Sequence, residues 1–332
     1  MNLKAQPKID LHLHLDGAIR VATIAELGDE LNIPLPTYDP KRLAKFVQVG
    51  RDCRSLTDFL KRFEVFYPIL PYARTLERIS YELCEDCARD NVIYFETRFA
   101  PALACNAKFT MEDAVVAALE GLRRGQRDFK VRCGLILCCY RSVTVRQNTD
   151  TVKLAHKYRD RGVVGIDLAG DELHFPASPH AEAFALARKL EVPITIHAGE
   201  GGNAENIREA VFDHGAARIG HGVALAEDLE LLKQVRDRGV VLEICLTSNL
   251  QTCSVHSLRR HPFKKFLDEE MRVTLNTDDP SISSTTLTDE FAMAARAFKL
   301  THSQIRGLLV NAAQGAFGEA SLRRGLTALL GE

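Results

Sequence analysis

The chain has 332 residues, 46% of them hydrophobic, and its 43 basic and 44 acidic side chains leave a formal charge of −1. That length and apolar content allow a sizeable core, while the absence of a long Lys/Arg run or an aromatic-spaced basic patch argues against a nucleic-acid partner. The opening "MNLKAQPK" has no apolar signal core and no stretch approaches the roughly 20 apolar residues of a bilayer span, so no membrane partner and a cytoplasmic location are expected.

The first element is the strand-like "KIDLHLHLDG". Alternation puts His12 and His14 on one face, with Asp16 following near the strand end. Two imidazoles on an otherwise apolar face are costly to desolvate without a shared partner, and a divalent cation is such a partner. About 75 residues precede the next strand, among them helix-like "VATIAELGDELN", the Pro-rich "IPLPTYDP" and amphipathic "SLTDFLKRFEVFYPIL". In the last of these, Leu56, Phe59, Leu60 and Phe63 fall at helical spacing, the pattern of a core helix. "YELCEDCARD" reads as another amphipathic helix, and its Cys84 and Cys87 lack the second pair that a structural zinc site needs. The nine cysteines, most of them inside hydrophobic runs, read as reduced core residues.

Seven more strand candidates follow: "VIYFETRFAP", "VRCGLILCCY", "VVGIDLAGDE", "VPITIHAGEGG", "ARIGHGV", "VVLEICLTSN" and "RVTLNTDDPS". Between them lie segments of helical period, such as "AEAFALARKLE", "AENIREAVFDHG" and "AEDLELLKQVRDRG", the last two closed by Gly. Eight strand–helix units predict an α/β fold, a TIM (β/α)8 barrel, with the helical insertion between strands 1 and 2 lying over the C-terminal mouth. With no interdomain linker, residues 1–332 are expected to be a single domain, with 20–90 as its insertion or lid.

In such a barrel the functional groups come from the C-terminal strand ends. The fifth strand ends with His197 and Glu200, the sixth with His221, and the eighth with Asp278 and Asp279. Taken singly, His221 could cap a helix and Asp-Asp-Pro could be a turn. Their joint occurrence at separately inferred strand ends points to a metal centre. Imidazole and carboxylate donors without thiolate suit catalytic Zn²⁺, with Fe, Mn, Co or Ni open by ligand type. The fourth strand "GIDLAGDE" offers no Lys to bridge two ions, so one ion is expected. Such an ion would generate a hydroxide nucleophile at neutral pH.

The ordered set "HLHLDG", "SLTDFL", "DLAGDE", "HAGE", "RIGHG", "LTSN" and "NTDDP" resembles the adenosine deaminases of the amidohydrolase superfamily over nearly the whole chain. The resemblance implies one Zn²⁺ per chain held by His12, His14, His197 and Asp278, and a small-molecule purine nucleoside as partner. It implies hydrolytic deamination of adenosine and 2′-deoxyadenosine, as in purine salvage, by attack of zinc-bound hydroxide on purine C6. Glu200 would protonate N1, His221 would orient the water and accept or stabilise its proton, and Asp279 would hydrogen-bond the hydroxide and the N7 side. Gly170 would offer its N–H to N3, Asp16 and His14 would face the ribose, and Leu56, Phe59 and Leu60 would form an apolar lid.

Adenine deaminases look like "DHG" on strand 6 and carry Ser for Gly-Asp on strand 4, whereas this chain has Gly220 and Gly170-Asp171. Both differences favour a nucleoside over a free base. A deaminase of aminodeoxyfutalosine or methylthioadenosine would share the purine end. The combined H-x-E and P-C-x-x-C signature of the cytidine-type zinc deaminases is absent, the one C-x-x-C following Leu83 rather than Pro.

Overall fold

The computed structural model describes residues 2–50 and 52–330. Strands β1 Lys8–His14, β2 Val92–Phe99, β3 Arg132–Tyr140 and β4 Val163–Ala169 form one parallel sheet in sequence order. Strands β5 Thr195–Ala198, β6 Arg218–His221, β7 Val241–Ile244 and β8 Arg272–Leu275 form a second. Single parallel bridges join the two halves, Ile166 to Ile194 at one seam and Leu13 to Asp278 at the other. At the second seam the His14 N–H donates to Asp278 O at 2.7 Å and the Asp278 N–H to His12 O at 2.8 Å. Closing the (β/α)8 barrel is thus the same event that brings the first and last site strands together.

Among the described residues four α-helices lie between β1 and β2: α1 Val21–Glu30, α2 Pro40–Val47, α3 Leu56–Glu64 and α4 Ala73–Arg89. Local sequence sets their starts. The Asp39 side chain accepts from the Arg42 N–H with Pro40 in the first turn, and Ser55 accepts from the Asp58 N–H. Helix α3 buries Leu56, Phe59 and Phe63, so the apolar stripe read in the sequence is a packing face. Cys84 and Cys87 are buried on α4, and all nine cysteines are free.

One segment differs from the sequence reading. Strand β7 stops at Ile244, and "LTSN" instead opens a short helix, Leu246–Gln251. The apolar run continues past the strand because both strand end and helix are buried, so periodicity does not mark the break. The "AENIREAVFDHG" segment is helical as expected but changes type, α-helix over Ala204–Arg208 and π-helix over Glu209–Asp213.

Candidate active site

The strand ends and α3 enclose one pocket. It is lined by His14, Asp16, Leu56, Phe59, Leu60, Gly170, His197, Glu200, His221, Asp278 and Asp279. Every residue expected at the site is therefore at the pocket except His12, which is fully buried beneath it. Leu56 and Phe59 both pack in the core and line the pocket, so the two readings of the α3 stripe hold together. Phe63, Tyr67, Ala100, Leu103, Cys138, Tyr140, Ala169, Ser248 and Thr252 complete the lining and were not anticipated. Several of them, such as Ala100 after β2 and Tyr140 at the end of β3, sit at the same C-terminal level as the expected residues.

At the floor, donor atoms of His12, His197, His221 and Asp278 lie within 4.8 Å of one another. His14 Nε2 meets the same point, 3.2 Å from His197 Nε2 and 3.4 Å from Asp278 Oδ1. Five groups thus compete for four positions, and their hydrogen bonds separate them. Glu243 Oε2 accepts from His12 Nδ1 at 2.7 Å, leaving a lone pair on His12 Nε2. That nitrogen is buried without a hydrogen-bond partner, 3.1 Å from Asp278 Oδ1. Asp167 Oδ2 faces His197 Nδ1 at 2.9 Å and favours the same arrangement there.

His221 is held the opposite way. The Phe263 N–H donates to His261 Nδ1 at 3.1 Å, so neutral His261 carries its proton on Nε2. That N–H donates to Asn249 Oδ1 at 3.2 Å, which leaves the Asn249 amide nitrogen to donate to His221 Nδ1 at 3.0 Å. Burial depresses His261 to about 4, which keeps it neutral. His221 therefore presents an Nε2–H to the site, 3.5 Å from Glu200 Oε2. A nitrogen bearing a proton is no metal ligand. That leaves His12, with Nε2 free, together with His14, His197 and Asp278 as the groups whose atoms converge where a divalent cation would fit.

The electrostatics agree. Burial would raise Asp278, but His221, His12 and His14 outweigh it and hold the carboxylate well below its usual range. Burial lowers His14 and His221 well below the ordinary imidazole value. His12 is raised against burial by Asp278 and Glu243, a pull equally available to a cation. Glu200 goes the other way, pushed well up by burial, Asp278 and Glu172 while Thr252 Oγ1 donates to its Oε1 at 3.0 Å. Asp279 is likewise raised by burial, Asp278 and Asp16, and burial lifts Asp16 to about 6. Asp16 Oδ1 and Asp279 Oδ1 are buried acceptors without a hydrogen-bond partner.

His221 and Asp278 have φ of +63° and +62°, a left-handed backbone uncommon for such residues. A Cβ on Gly220 would lie 2.8 Å from His12 Cε1, so only glycine leaves room for that ring.

Below the pocket is a charged layer that sequence reasoning missed. Arg98 donates to Asp167 at 3.2 Å and to Glu243 at 3.0 Å, and Arg218 pairs with Glu96 and Glu243 at 2.6 Å each. All five are buried. Their signal was present as charged residues alternating with apolar ones inside strands, as in "YFETRF" and "VLEICL".

The chain matches the family described as adenosine deaminase over residues 7–331. An adenosine deaminase of Clostridium botulinum (strain Langeland) is 39% identical over 333 residues, covering 100% of this chain and 99% of that one. Among solved structures, the N6-mAMP deaminase of Arabidopsis superposes with a TM-score of 0.88 at 31% identity, covering 99% and 98% of the two chains. A Burkholderia ambifaria amidohydrolase with bound Zn gives 0.90 at 25% identity, covering 99% and 90%.

Proposed function

The chain belongs to the adenosine deaminase family, and from that membership and the pocket we propose hydrolytic removal of the 6-amino group of adenosine or 2′-deoxyadenosine, giving inosine or deoxyinosine and ammonia. The observation that carries this reading is a buried Glu200, its carboxyl pushed well up by burial, Asp278 and Glu172, lying 3.5 Å from His221 Nε2 at the cluster that also holds His12, His197 and Asp278. One Zn²⁺ per chain is assigned to His12, His14, His197 and Asp278. When bound there, such an ion lowers the pKa of water to about 7 and so supplies hydroxide at neutral pH.

The chain's own groups do the rest. Glu200 delivers its proton to purine N1, where charge develops as oxygen adds at C6. The His221 N–H orients the attacking oxygen and stabilises its charge, and Asp279 hydrogen-bonds that oxygen and the N7 side. The proton of the added hydroxyl then passes to the 6-amino nitrogen through Asp279, the C6–N bond breaks as C6=O forms, ammonia leaves, and the proton released when water becomes hydroxide restores Glu200. Asp16 and His14 take the ribose hydroxyls, the Gly170 N–H takes N3, and Leu56, Phe59 and Leu60 cover the base. Gly170 has φ +104° and lies against the Tyr140 ring, where a Cβ would approach to 3.1 Å. Among the described residues lining the pocket there is no Lys or Arg to pair with a 5′-phosphate, which favours a nucleoside over a nucleotide.

The test is ammonia release by zinc-loaded protein from adenosine, 2′-deoxyadenosine, adenine, AMP, methylthioadenosine and aminodeoxyfutalosine. Adenosine is expected to be turned over fastest, and rapid turnover of another member with adenosine untouched refutes the substrate. Glu200→Gln is expected to keep its metal and lose at least about 10²-fold in kcat. Near-normal turnover by the zinc-loaded variant would sink the role of Glu200.

A further inference from the structure

Glu200 sits on a turn of glycines, "HAGEGG", that by itself gives a side chain no fixed position. What fixes it comes from the loop after β4. Glu172 is buried there, and its carboxylate accepts three backbone N–H groups of that turn. Oε2 takes the Gly199 N–H at 3.0 Å, and Oε1 takes those of Gly201 and Gly202 at 2.6 and 2.7 Å. The bonded residues flank Glu200 on both sides, so the carboxylate grips the peptide units before and after it. Three N–H donors converging on one carboxyl are directional bonds that fix the turn.

A second brace ties the same two segments. Arg141, buried at the end of β3, donates through Nη1 to Phe175 O at 2.9 Å and through Nη2 to His197 O at 2.8 Å. The strand that ends in His197 and the loop that carries Glu172 are therefore one unit. Thr252 then holds the Glu200 side chain itself.

From this geometry we infer that Glu172 is a positioning residue for proton delivery, clamping the Gly199–Gly202 backbone so that the Glu200 carboxyl is held at purine N1. The inference rests on the assignment of Glu200 as the proton donor. Glu172 does not touch the nucleoside and is not among the residues lining the pocket. Its effect should fall on the chemical step more than on substrate binding. In Glu172→Gln one oxygen becomes an NH₂ that faces N–H groups, so the grip is lost on at least one side of Glu200.

The experiment measures kcat, KM and zinc content for the parent, Glu172→Gln, Glu172→Asp, Glu200→Gln and the Glu172→Gln/Glu200→Gln pair. Glu172→Gln is expected to lose about 10²-fold in kcat with KM within about threefold and zinc retained, the scale of an ångström-level misplacement. In the Glu200→Gln background the same change should cost less than about threefold, because the group it positions is gone. Glu172→Asp, which keeps the charge, should recover part of the rate. Equal losses in both backgrounds, or parent-like kcat in Glu172→Gln, overturn the clamp and leave Glu200 as donor. A fully active Glu200→Gln overturns both. Should Glu172→Gln fail to fold, the cycle is run with Glu172→Asp and judged by the same comparison.

Discussion

Replacing Glu243 with Gln removes one charge from the floor of the barrel at nearly constant shape. Glu243 is fully buried and contacts His12 Nδ1 at 2.7 Å, Arg98 Nη2 at 3.0 Å, Arg218 Nε at 2.6 Å and Thr195 Oγ1 at 3.2 Å. Burial alone would raise its pKa, but the two guanidiniums and His12 reverse that and hold it well below the carboxylate range. Removing one member of a buried ion pair typically costs 3–5 kcal/mol; here Arg98 keeps Asp167 and Arg218 keeps Glu96, so about 3 kcal/mol is expected. With an unfolding entropy of about 0.7 kcal/mol/K for a chain of this length, Tm of the metal-free protein should fall by about 4 °C. The variant also loses the carboxylate that orients His12, and zinc affinity measured by chelator competition should drop about 10–100-fold. A variant whose melting temperature stays within about 1 °C of the parent, with unchanged zinc affinity, would refute the coupling of this layer to the metal donors.

Two further outcomes follow from other buried groups. Burial lifts Glu290 from 4.5 to about 7, and it accepts from the Thr247 hydroxyl and from Thr285 Oγ1 at 3.0 Å. The folded protein binds this proton more tightly than the unfolded chain, so its stabilisation is complete below pH 4.5 and is lost as pH rises through 7. Between pH 5 and 8.5 the parent should lose up to about 3 kcal/mol more than Glu290→Gln in denaturant titrations, and identical pH profiles contradict the assignment. Asn249→Asp replaces an amide donor by an acceptor, moves the His221 proton to Nδ1 and empties Nε2. A kcat loss on the order of 10³-fold with zinc retained is expected from a wrong tautomer, and parent-like kcat in the zinc-loaded variant would show that the proton position is immaterial.

The alternation of "KIDLHLHLDG" is local, and so are the strand ends carrying His197, Glu200, His221, Asp278 and Asp279. Those features made the barrel and the mouth of the pocket legible, because strand period and strand-end position depend on a few neighbouring residues. The end of β7 was misread for a related reason: a run buried throughout carries no period to show where strand becomes helix. Glu172 stood in plain view within "DLAGDE", but its partners are backbone N–H groups, which leave no mark in a sequence.

The sequence by itself determined which chemical groups are available and on which strand ends they sit. Only the tertiary structure decided what each imidazole presents to the centre, since that depends on the partner of its other nitrogen. Glu243 for His12, Asp167 for His197 and the His261–Asn249 chain for His221 all come from distant segments. Barrel closure joins them, and with it His12 and His197 have their outer nitrogens engaged by carboxylates while His221 Nδ1 accepts from Asn249 and leaves an Nε2–H facing Glu200.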